Sequence, residues 1–380
     1  MKKIVLIPDS YKGTMSSAEI CGIMEKSILL QFPKCEVISI PVADGGEGSV
    51  DCFLSAMKGK KVLTCAKGPY FDELNTYYGL VDNGRTAVIE MAACAGLPLV
   101  EHNKNPMMTT TYGVGQLIEK AAEKGCKKII LGLGGSCTND GGCGVAVALG
   151  VKFLDKDGKQ FIPTGGSLKD INSIDVSSVN PILKDIEISA MCDIDNPMFG
   201  KNGAAYVFSP QKGADAKMVE QLDDGLRKLA EVILHDLGVD VANMPGAGAA
   251  GAMGAGMVAF FGAKLVMGIQ CVLDTVGFEK IIMGADVIFT GEGKLDTQSL
   301  RGKVVIGIAK RAKALNVPVI AVVGDVADNM TQAYEDGVSA IFSINKVAVP
   351  YEVARRTCKE DLAFTMDNIL KFAAIADSNK

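Results

Sequence analysis

MKKIVLIPDSYKGTMSSAEI (residues 1–20), continued by KCEVISIPVADGGEGSV (34–50), decides the fold. An apolar run at Lys3 to Pro8 gives way to turn chemistry, then to an amphipathic helix over about Ser16 to Gln31. A second run at Glu36 to Pro41, a helix over about Gly48 to Met57 and a third run at Lys61 to Ala66 follow. This β-α-β-α-β order predicts a parallel sheet with right-handed crossovers.

The same alternation returns from Phe278 onward. Strands are expected at Val287–Thr290, Val317–Val323 and Ala340–Ser343, helices at Val304–Ala314 and Thr331–Asp336, and a last amphipathic helix after them. The middle reads differently. Runs at Thr76–Val81 and Thr86–Met91 flank Asp82-Asn83-Gly84, which is hairpin chemistry. A helix over Gly113–Lys124 and strand-like pieces at Lys128–Leu133, Val151–Leu154, Ile186–Met191 and Ala205–Phe208 complete an α+β pattern. The expected fold is therefore α/β: a Rossmann-like parallel sheet domain built from both termini (1–66 and 276–380), an inserted mixed α/β domain (67–275) and an interdomain cleft. Two sequential domains cut near residue 245 are the alternative.

Composition bounds the function. A chain of 380 residues with 48% hydrophobic residues can build two cores. Its net charge of −5, with scattered Lys and Arg and no Trp, offers no footprint for nucleic acid. The eleven cysteines form no Cys-x-x-Cys and several sit in apolar runs, which reads as reduced thiols and a cytoplasmic location. The apolar start is too short for a signal peptide. Pro245 to Ala263 is uncharged but rich in Gly and Ala, so it reads as a buried turn and helix and no membrane partner is expected. With only His102 and His235, neither in a convincing motif, the sequence does not point to a Ser-His-Asp triad or a His-rich zinc site. A base, where one is needed, should be a carboxylate.

The chemistry-bearing residues fall at strand ends, where open α/β sheets bind ligands. Asp9-Ser10-Tyr11-Lys12 follows the first strand and offers a carboxylate beside a cation, although Asp9 and Ser16 can equally cap turns. Asp44-Gly45-Gly46-Glu47-Gly48 follows the second with two acids among three glycines; Glu47 can alternatively serve the next helix. Gly134-Gly135-Ser136-Cys137-Thr138-Asn139-Asp140 makes a plausible anion nest, without any P-loop pattern. Cys192-Asp193-Ile194-Asp195 places two acids on alternating positions, which in extended geometry share a direction. Gly246-Ala-Gly248-Ala-Ala-Gly251 matches a dinucleotide fingerprint but follows Asn243-Met244-Pro245 rather than a strand. Glu292, Asp296, Arg301 and Lys303 gather after Val287–Thr290, with metal-binding acids and anion-binding cations as their functional reading.

Taken together, six motifs in order resemble the bacterial glycerate kinase family that phosphorylates D-glycerate with ATP: Asp9-Ser-Tyr-Lys-Gly, Ala43-Asp-Gly-Gly-Glu-Gly, Gly134-Gly-Ser-Cys-Thr-Asn-Asp-Gly-Gly, Cys192-Asp-Ile-Asp-Asn-Pro, Gly248-Ala-Ala-Gly and Thr290-Gly-Glu-Gly. The resemblance implies a two-domain kinase using ATP and Mg²⁺ and forming 2-phosphoglycerate, with 3-phosphoglycerate as the alternative product. Onto that chemistry we place Asp193, Lys12 and Asp296 as catalytic groups. Asp9, Ser10, Asp44, Glu47, Gly134, Gly135, Ser136, Thr138, Asn139, Asp140, Gly248, Gly251, Arg301 and Lys303 are assigned to substrate or phosphate, and Asp195 and Glu292 to metal. Ala252 departs from the glycine expected there, which is tolerable unless its backbone needs positive φ. Two other classes stay open, an NAD-dependent oxidoreductase using Gly246–Gly251 and a non-catalytic nucleotide sensor. Homo-oligomerisation is left open too.

Overall fold

The computed structural model describes residues 1–43 and 45–378, the last three by backbone alone. Contacts divide the chain into two compact units, Met1–Ala43 with Ile269–Lys380, and Asp44–Gly268.

The first unit holds a five-stranded sheet. Its spatial order is Val338–Ser343, Val319–Val323, Val287–Thr290, Lys3–Leu6, Glu36–Ser39, with every neighbouring pair parallel. Parallel pairing requires crossovers, and the Ser17–Gln31 and Val304–Lys313 helices supply two of them. Ser16 starts the first of these helices with a capping box to Glu19. Ile4, Leu6, Ile20, Met24, Phe289, Leu362 and Leu370 are fully buried, so sheet, first helix and the Cys358–Ser378 helix share one core. From Lys3–Leu6 the chain builds outward to Glu36–Ser39, and from Val287–Thr290 it builds the other way. The order therefore reverses between these two central strands, and their carboxyl ends are the ligand position of an open α/β sheet.

The second unit holds a six-stranded sheet in the order Lys264–Val266, Glu187–Met191, Lys128–Gly132, Thr86–Glu90, Glu73–Val81, Lys60–Lys67. The first four strands are parallel and the last two complete antiparallel pairs. The hairpin expected around Asp82-Asn83-Gly84 is present, with Asp82 and Asn83 both at positive φ.

Two expectations fail. The run at Lys61–Ala66 is not a third parallel strand beside Glu36–Ser39; Lys60–Lys67 pairs antiparallel with Glu73–Val81 in the other sheet. Lys60, Lys61, Leu63 and Cys65 are exposed along it, the signature of a sheet edge rather than of a parallel strand covered on both faces. Ala205–Phe208 is helix, within Ala204–Phe208, because so short an apolar run carries no periodicity that separates the two states.

Pro245–Ala263 forms the expected buried turn and helix, Ala249–Phe261, and no helix among the described residues is long and apolar enough to cross a membrane. All eleven cysteines are free thiols.

Candidate active site

In the second unit the strands Lys128–Gly132 and Glu187–Met191 lie side by side and in parallel, so the loops after them emerge together. Gly134, Gly135, Ser136, Asp193 and Lys212 line a cavity of about 280 Å³ there. That volume is near the lower limit for small-molecule pockets.

The 134–140 loop is rigidly built. Gly134 N–H donates to Gly45 O at 2.9 Å, and a Cβ on Gly134 would lie 2.6 Å from Gly46 Cα, so only glycine lets the two loops meet. The fully buried Asp140 carboxylate accepts from Thr111 N and Oγ1 at 2.8 Å and from Gly142 N and Gly144 N at 3.2 Å. Burial pushes its pKa up while these donors hold it down. Asp140 is therefore a brace for the loop rather than a group turned to a ligand. Thr138 Oγ1 and both amide atoms of Asn139 are buried with no partner.

Lys212, unmarked in the sequence, supplies the charge. Its side chain is buried (2% exposed), and Nζ donates to Ser136 Oγ and Thr138 O, both at 2.7 Å. Desolvation lowers its pKa to about 8, partly countered by Cys137 and Asp140. Asp193 is half-buried, with Oδ1 accepting from Gly268 N at 2.7 Å. Asp195 is exposed and is not among the cavity's lining residues, so the alternation of 193 and 195 does not give a shared environment.

The glycine run after Pro245 approaches the same loop. Gly141 N–H donates to Gly251 O at 3.0 Å, and a Cβ on Gly251 would lie 2.1 Å from Thr138 O. Gly248 meets Pro197 O as closely, at 2.4 Å for a Cβ. Ala250, Gly251 and Ala252 are all left-handed, at φ of 55°, 65° and 65°. Ala252 thus occupies the conformation in which its methyl is strained. No strand precedes this run; the helix Ala216–Leu237 does, which removes the context of a dinucleotide fingerprint.

Of the second strand-end motif, Asp44 lies outside the described residues and Glu47 is exposed. The start of the Ser49–Met57 helix is served instead by buried Glu90, which accepts from Val50 N at 2.6 Å and whose pKa burial raises.

In the first unit the two central strand ends are joined by Asp9 N–H to Gly291 O at 2.8 Å and Thr290 Oγ1 to Ile7 O at 2.9 Å. This sets Asp9 beside Glu292. The Asp9 carboxylate accepts from Ser10 N at 2.7 Å. Glu292 is 8% exposed, and its Oε1 has no partner. Burial, with Asp9 and Asp296 adding to it, pushes the Glu292 carboxyl up to about 7 against a hydrogen bond from Ser299 and the charge of Lys303. Asp296 accepts from Gln298 N at 2.8 Å and Ser299 N at 3.3 Å, closing the turn before Ser299–Arg301. Lys303 Nζ donates to Gln298 Oε1 at 3.3 Å, and the Lys12 and Arg301 side chains are exposed.

Among the described residues no three His, Cys, Asp or Glu side chains form a metal cage. The donor set fits Mg²⁺ in its usual mode, one or two carboxylates completed by water and phosphate oxygens. The orphaned Glu292 Oε1 is the oxygen that best meets that description.

The sequence model of the glycerate kinase family matches residues 4–374. The chain belongs to the glycerate kinase family. It is 44% identical over 375 residues to a glycerate kinase of Bacillus cereus, covering 98% of each chain. It is 43% identical over 378 residues to a glycerate 2-kinase of Escherichia coli K12, covering 99% of each. A crystal structure from Salmonella typhimurium LT2, given provisionally as glycerate kinase 2, superposes with a TM-score of 0.87 at 39% identity, covering 99% of each chain. The six motifs thus belong to a glycerate kinase family member along its whole length, and the α/β architecture is that of a related enzyme.

Proposed function

We propose that this chain transfers the terminal phosphoryl group of ATP to the 2-hydroxyl of D-glycerate, with Mg²⁺ as its metal. The observation that carries this reading is the cavity at the strand ends of the second unit, where a glycine turn, a buried ammonium and the Asp193 carboxylate line one space. Phosphoryl transfer asks the protein for little covalent chemistry; it needs positioning and charge. The 134–139 loop cradles ATP phosphates, and Asp193, its Oδ1 fixed by Gly268 N–H, orients the attacking hydroxyl and takes its proton.

Lys12 and Arg301 hold a substrate carboxylate or the transferring phosphate, with Asp296 as a second catalytic carboxylate. In this reading Glu292 is a metal ligand in the first unit and Asp195 one in the second; bound Mg²⁺ would neutralise phosphate charge. The 2-hydroxyl is supported over the 3-hydroxyl by the 43% identity to a protein named glycerate 2-kinase. Free thiols favour a cytoplasmic location, and a net charge of −5 favours small-molecule partners over nucleic acid.

The test is ADP release in a coupled assay with ATP, Mg²⁺ and D-glycerate. ADP formation that depends on D-glycerate supports the reading, and release no faster than with ATP and Mg²⁺ alone overturns it.

A further inference from the structure

We infer that Lys212 is a phosphate-contacting catalytic residue, its ammonium held by Ser136 Oγ and Thr138 O so that one donor is left for a phosphate oxygen in the cavity it lines. This rests on the reading of the 134–139 loop as the phosphate cradle and supplies the charge that the loop's own residues lack.

Three observations carry it. First, the side chain is 2% exposed, yet among the described residues it forms no salt bridge and only two hydrogen bonds, both to neutral oxygens. An ammonium has three donors, so one is unspent. A buried charge without a counterion is destabilising, and proteins keep such groups where an anion is to be bound or chemistry done.

Second, the place is right. Lys212 lines the same cavity as Gly134, Gly135 and Ser136, the turn that follows Lys128–Gly132. Lys212 belongs to the short turn Pro210–Lys212, so the charge reaches the glycine loop from a separate segment of the second unit.

Third, the neighbouring carboxylate, although its charge acts on Lys212, forms no ion pair with it. Asp140 spends its oxygens on Thr111, Gly142 and Gly144. The structure thus sets a positive charge against a glycine turn and leaves its neutralisation to a ligand. A Lys so placed acts as a point charge on a phosphate, a role it has in other phosphate sites.

The experiment compares wild type with Lys212→Met and Lys212→Gln by titration calorimetry with tripolyphosphate and, separately, with adenosine. Lys212→Met should fold, melt within a few degrees of wild type, and bind tripolyphosphate at least tenfold more weakly, while adenosine affinity stays unchanged. Turnover with ATP and D-glycerate should fall 100-fold or more. Should Lys212→Met not fold, Lys212→Gln keeps a donor for Ser136 or Thr138 and carries the same expectation. Unchanged tripolyphosphate affinity in a folded variant, equal loss of both ligands, or failure of both variants to fold each overturn the proposal in favour of a structural lysine. Wild-type protein that binds tripolyphosphate through Lys212 yet releases no ADP overturns the kinase reading and with it the catalytic role, and leaves the phosphate contact of Lys212 standing.

Discussion

Glu292 gives a prediction whose size follows from its burial. The carboxyl is 8% exposed and is pushed from the usual 4.5 to about 7, chiefly by desolvation, with Asp9 and Asp296 adding to it. A carboxyl whose folded pKa lies above its unfolded one makes the folded state bind more protons across that interval. Its contribution is therefore fully present below about pH 4.5 and is lost as pH rises through about 7. At 1.36 kcal/mol per unit the loss is about 3 kcal/mol. Glu292→Gln keeps the shape and abolishes the titration.

Without metal, the variant and wild type should melt together near pH 4.5, and the variant should be the more stable by about 3 kcal/mol at pH 8. For a unit of roughly 150 residues such as the one holding Glu292, this is a Tm difference of about 6–12 °C. The assay is thermal unfolding of both proteins in EDTA from pH 4.5 to 8; titrating groups that do not interact with Glu292 cancel in the difference. A Tm offset that does not change with pH would refute the buried, elevated carboxyl. Mg²⁺ added at pH 8 should then stabilise wild type and not the variant.

Asp193→Asn retains an oxygen for Gly268 N–H, so it should leave the melting temperature and ATP affinity nearly unchanged while turnover falls about 10²–10⁴-fold; wild-type-like turnover removes Asp193 as the base. Gly251→Ala forces a methyl to 2.1 Å from Thr138 O and should destabilise by about 2 kcal/mol or more and weaken ATP binding, read by urea unfolding and nucleotide titration. Ala252→Gly, one residue on, should instead leave stability unchanged or raise it by up to about 1 kcal/mol, because it relieves a left-handed alanine at φ 65°. Equal destabilisation by the two substitutions would contradict the backbone geometry.

The strand-helix alternation of both termini was legible because parallel strands and their crossover helices carry strong, distinct periodicities. The Lys61–Ala66 run misled for the opposite reason: an apolar run shows that a strand exists but not which sheet it joins. Strand-end motifs marked the loop at Gly134–Asp140 and the carboxylates Asp193 and Glu292 correctly as features beside strand ends. What each side chain does there was not legible. Asp140 and Asp296 read as candidate ligand groups; the structure spends both Asp140 oxygens on Thr111, Gly142 and Gly144, and uses Asp296 Oδ1 to close a turn on Gln298 N and Ser299 N. Glu90 and Lys212 carried no local signal, since one caps a helix from a different strand and the other reaches the glycine loop from a short turn far along the chain.

The most direct test of the account is to let the protein act on D-glycerate with ATP and Mg²⁺ and to identify the phosphorylated carbon by NMR. Carbon–phosphorus and proton–phosphorus couplings at C2, giving 2-phosphoglycerate, are the predicted result. Couplings at C3, or no phosphorylated product at all, would contradict it.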